Sequence, residues 1–260
     1  MKEQGSCCRP PVVAGCHTSQ PMQTVQPFPE HGLLADNLDL PLQRLRTRLL
    51  KVRSRTYSYV VRSVKLDQST LRFEQRGSAP NFQGDCLTLC TCKHQMRASQ
   101  SPNDWEDNVW LAGFTGRTIY DGTHWLFYLA KVESAHESHS ELWKSMDAAV
   151  RQAKAAHLYY FGDVFKPKVS GLTGSARYSP TRYYTPPKHT HRRDRHDTGW
   201  HNDIKYHLAD RYGHPALLVA DPRLTFLWDE PMIFLKQDHC RNYLKWSSLQ
   251  DVLAQLGEAT

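Results

Sequence analysis

Apolar residues recur along this chain at two different spacings, and each spacing predicts a different kind of element. Leu42, Leu45, Leu49 and Val52 fall at helical spacing among Arg44, Arg46, Arg48, Lys51 and Arg53, which predicts a basic amphipathic helix and linker over 41–55. From Thr56 the pattern changes. TYSYVVRSV is rich in β-branched and aromatic residues and reads as a strand, and CLTLCTCK as a second. The stretch between them, LRFEQRGSAPNFQGD, carries Gly and Pro and reads as a loop. VWLAGF (109–114) and WLFYLAKV (125–132) are apolar at nearly every position, so both faces of their sheet need covering. Gly116, Asp121 and Gly122 between them favour an antiparallel pair.

Ser138-His139-Ser140-Glu141 has the spacing of a capping box and opens a helix that Leu142, Met146, Ala149, Val150 and Ala153 carry to about His157. ALLVADPRLTFLW and PMIFLK supply two more strands. Ser248 then opens a helix with Leu249, Val252, Leu253 and Leu256 on one face and Gly257 at its end. Two stretches lack any period. Residues 1–40, with RPP and QPFPE, read as a disordered or loosely attached extension. Residues 163–207 are long, polar and irregular, and a stretch of this length is more often functional or disordered than neutral. The order β-β-β-β-α-loop-β-β-α predicts an α+β domain over 56–260, with a mostly antiparallel, barrel-like β core and flanking helices.

Composition narrows the class. Of 260 residues, 40% are hydrophobic and 23% charged, an ordinary globular mix. No run approaches the roughly 18–20 apolar residues of a membrane span. No basic segment leads into an apolar one at the N-terminus, so a soluble cytoplasmic protein is expected. The seven cysteines include no CxxC pair, which favours buried thiols in a reducing compartment, with a nucleophile or metal site as the alternative. The net charge of +7 is uneven: residues 41–76 carry a net +8 and residues 166–195 a net +7, leaving the remainder acidic. Two basic blocks fit a nucleic acid, a phosphate metabolite or plain solvation.

Candidate chemistry concentrates in the irregular stretch. His189, His191, His196, His201 and His207 alternate with Asp194, Asp197 and Asp203. His189, His191 and Asp203, with Asp163, are candidate acid/base groups, because imidazole titrates near neutrality and a carboxylate can orient it. The same side chains are permissible metal ligands, but Arg192, Arg193 and Arg195 would repel a cation, so neither a metal nor a cofactor is expected. Tyr160, Gly162, Asp163 and Lys166 form a second candidate group, where a glycine admits close backbone approach and Asp163 can accept from a base edge or close an ordinary turn. Arg182, Tyr183, Tyr184 and their neighbours interleave rings with charge, as stacked bases require and as packed loops also show. Tyr57 and Arg62 in the first strand segment, Trp110 as a pocket floor and Arg223 in the Asp-Pro-Arg turn complete the nucleobase- and phosphate-binding candidates. GxGxxG, P-loop, HExxH, GxSxG and zinc-deaminase signatures are all absent.

TYSYVVRSV, APNFQGD, CLTLCTCKHQMR, DNVWLAGFTGR and WLFYLAKVESAHESHSELW occur in that order, followed by YYFGDVFKP and ALLVADPRLTFLW. Together they resemble the nucleotide-modification-associated domain 2 family over roughly Tyr57 to Leu235. Asp107-Asn108-Val109 departs from that family's Gly-Asp-Trp. The resemblance implies an association with DNA-base hypermodification systems of phage or mobile-element origin, with nucleic acid or nucleotide as partner and no membrane. Barrels of the PUA and EVE kind, which read modified bases, are the fold-level analogy. The expected function is recognition of modified or unusual nucleobases; the alternative is an enzyme that modifies or hydrolyses a nucleotide or base. In either case rings and positive charge from separate segments are expected to meet over the central strands.

Overall fold

The structure, a computed structural model, describes residues 27–75, 77–117, 122–156, 163–186, 199–239 and 242–259. In chain order its strands are β1 (Thr56–Val61), β2 (Val64–Asp67), β3 (Arg72–Gln75), β4 (Thr88–Leu89), β5 (Trp110–Thr115), β6 (His124–His136), β7 (Leu217–Leu227), β8 (Ile233–Leu235), β9 (Leu244–Trp246) and β10 (Leu256–Glu258). The helices are α1 (Leu42–Leu49), α2 (His94–Arg97), α3 (Pro102–Glu106), α4 (His139–Ser145), α5 (Ala148–Ala156), α6 (His201–Lys205) and α7 (Leu249–Ala254).

The long strand β6 organises the sheet. One of its edges pairs antiparallel with β5, while β8 pairs with it at His124 and Trp125 and β7 from Tyr128 to His136. The β6–β7 register shifts between Ala130 and Val132 and again between Val132 and Ser134. Such irregularities bend a strand and increase its twist. β5 pairs in parallel with β1, β1 antiparallel with β9, β7 with β4, and β8 with β10. The α+β class is as expected, and all pairings but β1–β5 are antiparallel. The barrel-like core is only half formed: the sheet curls into a half-barrel whose outer strands β9, β4 and β10 do not pair with one another among the described residues.

Both faces of the sheet are filled. Strand alternation sends Leu111 of β5 into a core with Tyr57, Tyr59, Phe82 and Phe127, and sends Trp110, Ala112 and Phe114 into another beneath α1 and α7. Each fully buried large apolar side chain contributes about 1.5–3 kcal/mol, so the two layers together specify the register. At Gly113 the ring of Tyr128 lies against the backbone, where an added Cβ would stand 2.2 Å from Cε1.

Several boundaries differ from the sequence expectation. The presumed loop LRFEQRGSAPNFQGD contributes β3, which pairs with β2 as a hairpin, and CLTLCTCK gives only the two residues of β4 before turning towards α2. The helix from Ser138 is capped as expected, Ser138 accepting from the Glu141 N–H, but it breaks at Met146, and Asp147 Oδ1 accepts from Val150 N to start α5. Leu256 and Gly257 belong to β10, not to the last helix. Residues 27–40, read as loosely attached, are fastened to the domain: Phe28 and Leu34 are buried, Asp85 accepts from the N–H groups of Leu33 and Leu34, and Asp39 N donates to Leu227 O. Residues 1–26 lie outside the described residues. No helix among the described residues is long and apolar enough to cross a membrane.

Candidate functional site

β9 covers only Thr56–Ser58 of β1, so among the described residues no strand flanks the outer edge of Tyr59–Val61. Two adjoining clefts open there. One, of about 230 Å³, is lined by Tyr59, Arg62, Ser78, Thr91 and Lys93 among others. The other, of about 330 Å³, includes Arg62, Lys93, His94, Tyr206 and Tyr243 in its wall. Arg62 and Lys93 line both. Neither cleft has an Asp or Glu in its lining among the described residues. Taken alone each is near or below the smallest usual ligand sites of about 300 Å³; joined, they fall within the normal range.

Local backbone geometry puts Lys93 in this position. Its φ is +57°, a left-handed conformation uncommon for a residue other than glycine. It persists because the surroundings hold it: Lys93 O accepts from Arg97 N at 3.0 Å to start α2, and Nζ donates to Asn242 O at 3.0 Å. The same ammonium lies 5.2 Å from the centroid of the Tyr59 ring, within cation–π range. His94 follows directly. Its ring stacks on Tyr206 with centroids 4.3 Å apart, and its Nε2 lies 2.9 Å from Asp203 Oδ1, whose carboxylate is wholly inaccessible. Tyr57 packs against Tyr243 at 6.0 Å and donates its hydroxyl to Gln100 Oε1 at 3.0 Å.

The wall formed by Thr91–Lys93 is anchored from behind. Asp163, fully buried, accepts from Thr88 Oγ1 at 2.6 Å, Cys90 N at 3.0 Å, and Thr91 N and Oγ1 at 3.3 Å each. Lys154 of α5, also buried, donates to Cys86 O at 2.7 Å and to Thr88 Oγ1 at 3.2 Å. Burial pushes the Asp163 carboxyl above the usual carboxylate range, partly offset by the Thr88 hydrogen bond and the Lys154 charge. Arg97 donates Nε to Cys92 O at 2.7 Å and Nη1 to Ala216 O at 2.6 Å. Beneath Tyr59, its hydroxyl and that of Tyr128 meet at 2.6 Å, and burial raises both well above the ordinary phenol value. Cys86, Cys90 and Cys92 are free thiols, and burial pushes Cys92 up to about 12, which keeps it protonated and unreactive at neutral pH.

No family model, curated protein or solved structure matches this chain. The site offers its own chemistry: two cations on a shared wall, the rings of Tyr206 and Tyr243 in the larger cleft, a carboxylate-backed imidazole, and no anionic side chain in the lining among the described residues.

Of the residues singled out from the sequence, Arg62 lines both clefts, Tyr57 supports Tyr243, and Asp203 reaches the site through His94. Asp163 lines neither cleft; its oxygens are turned to Thr88, Cys90 and Thr91, so it acts on the wall and not on a ligand. Trp110 is buried in the opposite layer with α1 and α7 and floors no part of the clefts. Lys166, Arg182, Tyr183 and Tyr184 lie apart from this lining: Tyr183 is buried with its hydroxyl donating to Arg177 O, and Lys166 Nζ sits 5.4 Å from the Tyr184 ring. Arg223 is exposed in β7, and its carbonyl accepts from Arg48. Tyr160, Gly162, His189 and His191 lie outside the described residues. Among the described residues no three His, Cys, Asp or Glu side chains are grouped to hold a metal ion.

The expected meeting of charge and rings over the central strands is corrected as well. Core side chains occupy both faces there, and the clefts open at the end of β1. Tyr59, Lys93, His94, Tyr206 and Tyr243 were not among the sequence candidates. Tyr59 shares a strand face with Tyr57 by parity, a signal that was available. Lys93 and His94 carry no local pattern that announces a left-handed turn, and Tyr206 and Tyr243 enter only through tertiary packing.

Proposed function

We propose that the paired clefts bind a nucleobase together with its attached phosphate, making this a nucleic-acid- or nucleotide-associated module. The observation that carries the reading is the pair Arg62 and Lys93, shared between the two clefts, with Tyr206 and Tyr243 in the wall of the larger and no carboxylate in either lining among the described residues. Phosphate oxygens need cations and hydrogen-bond donors, and bases need flat rings or backbone edges; this arrangement supplies both within one ligand's length. The resemblance to the nucleotide-modification-associated domain 2 family extends the proposal to modified or unusual bases in DNA-base hypermodification. A curled, mixed sheet with a pocket at one strand end suits the PUA and EVE analogy. Three free thiols suit a cytoplasmic setting.

The test is a binding screen with fluorescently labelled single-stranded DNA and RNA, carrying modified and unmodified bases, on the wild type and on Arg62→Gln. Arg62 is exposed and makes no ion pair among the described residues, so its replacement leaves the fold intact. Loss of one charge-assisted phosphate contact weakens binding about tenfold. Equal affinity of the two proteins at low salt would remove the cleft from the binding surface.

An enzyme acting on a nucleotide or base is the second reading, favoured by one observation, the His94–Asp203 pair at the cleft wall. A buried carboxylate fixes the imidazole's orientation, the arrangement a general base requires. Incubation with nucleotides and oligonucleotides, followed by product analysis of wild type and His94→Gln, separates the two: turnover abolished by His94→Gln makes it an enzyme, and unaltered nucleotides make it a binder.

A further inference from the structure

Building on the nucleobase reading, we infer that the ligand is a single-stranded dinucleotide step: two bases joined by one phosphodiester, one base in each cleft. The division of the site leads there. Two cavities adjoin, and the residues common to both are the two cations Arg62 and Lys93. Positive charge at the boundary between two adjoining compartments, the larger walled by Tyr206 and Tyr243, is what a single internal phosphate flanked by two bases demands. A mononucleotide would fill one compartment and leave the other to water, and its terminal phosphate would need no second compartment.

The two compartments differ in kind. The smaller is walled by β1 residues, Ser63, Ser78 and Thr91; Tyr59 and Thr91 are buried there, their hydroxyls engaged by Tyr128 and Asp163, so the half-buried Ser63 and Ser78 supply its polar side chains beside the two cations. Thr91 is buried and held by Asp163, so its backbone is fixed before any ligand arrives. A fixed polar edge discriminates between bases more sharply than a mobile one, because the wrong base leaves buried groups unpaired. The larger compartment offers Tyr206, already stacked on His94, and Tyr243, supported by Tyr57. Stacking on such rings tolerates every base, since each has a π face. The smaller cleft therefore selects and the larger one holds. A duplex is excluded by the same geometry: paired bases cannot part into two separate clefts without unstacking and unpairing.

The experiment compares four unlabelled probes by calorimetry: nucleoside 5′-monophosphates, dinucleoside monophosphates with a single internal phosphate, a single-stranded hexanucleotide, and a duplex of the same sequence. The best dinucleoside monophosphate is expected to bind at least about tenfold more tightly than either of its mononucleotides, the gain one stacked base provides. The hexanucleotide is expected to match the dinucleotide within a few-fold and the duplex to bind more weakly than either. Tyr206→Leu removes the stacking ring while keeping apolar bulk; it should abolish the dinucleotide advantage, bringing the dinucleotide down to the affinity of its mononucleotides. A matching thermal melt shows that Tyr206→Leu is folded, and Lys93→Asn, which suits the left-handed backbone at that position, provides a second variant that should weaken both probes alike. Mononucleotides binding as tightly as dinucleotides would overturn the two-base inference while preserving the nucleobase reading. Failure of all four probes would overturn both.

Discussion

A buried carboxylate is costly unless its lone pairs find donors, and Asp163 finds four, from one side chain and one backbone N–H at Thr91, the Cys90 N–H and the Thr88 hydroxyl. Asp163→Ala would strand those donors and leave Lys154 without its neighbouring negative charge. A loss of about 3–5 kcal/mol is expected in urea unfolding. The sign of the pH effect follows from burial, which raises the carboxyl above its value in the unfolded chain. Between those two values the folded state binds more protons than the unfolded one, so stability falls as pH rises through that window. Asp163→Asn should abolish that slope; a slope unchanged in Asp163→Asn would place its origin elsewhere. At this scale the sequence was half legible. The polar, glycine-flanked setting of Asp163 marked it out, but nothing local shows that its oxygens turn inward to β4 and the Cys90–Thr91 backbone.

Strands β1, β5, β6 and β7 were legible because long runs of β-branched and aromatic residues leave a sheet buried on both faces as the consistent reading. The hairpin β2–β3 was not, since Arg72, Glu74 and their neighbours are polar and pair on a two-stranded ribbon without a second face to bury. The broken helix at Met146 was missed because Leu142, Met146 and Val150 keep helical spacing across the break; Asp147 decides it by capping a new start. Within the legible strands, Gly113 is the tightest position. Gly113→Ala drives a methyl into the Tyr128 ring, which is fully buried and tied by its hydroxyl to Tyr59. A destabilisation of about 1–3 kcal/mol is expected from the overpacking, read from the denaturation midpoint. Because Tyr59 lines the smaller cleft, nucleotide affinity should fall in the same variant; full affinity would mean that the Tyr128–Tyr59 contact does not set the cleft's shape.

Over the whole molecule, charge proved a partial guide. The first basic block divides into structural and available cations. Arg46 donates to the carbonyls of Leu253 in α7 and Leu256 in β10, and Arg48 to Asn37 Oδ1 and Arg223 O, so both fasten α1 to the domain. Arg62, in the same block, lies at the cleft. Net charge by segment does not separate these roles; only the fold does. The second block is represented among the described residues by Lys166, Lys168, Arg177 and Arg182, of which Arg177 pairs with Glu137 and Glu141. The most direct measurement is photo-crosslinking of a single-stranded oligonucleotide carrying a photoreactive base, followed by peptide mapping of the adducts. Adducts on the peptide containing Tyr59 and on those containing Tyr206 or Tyr243 are predicted. Adducts confined to the Lys166–Tyr184 segment would contradict the assignment of the site to the paired clefts.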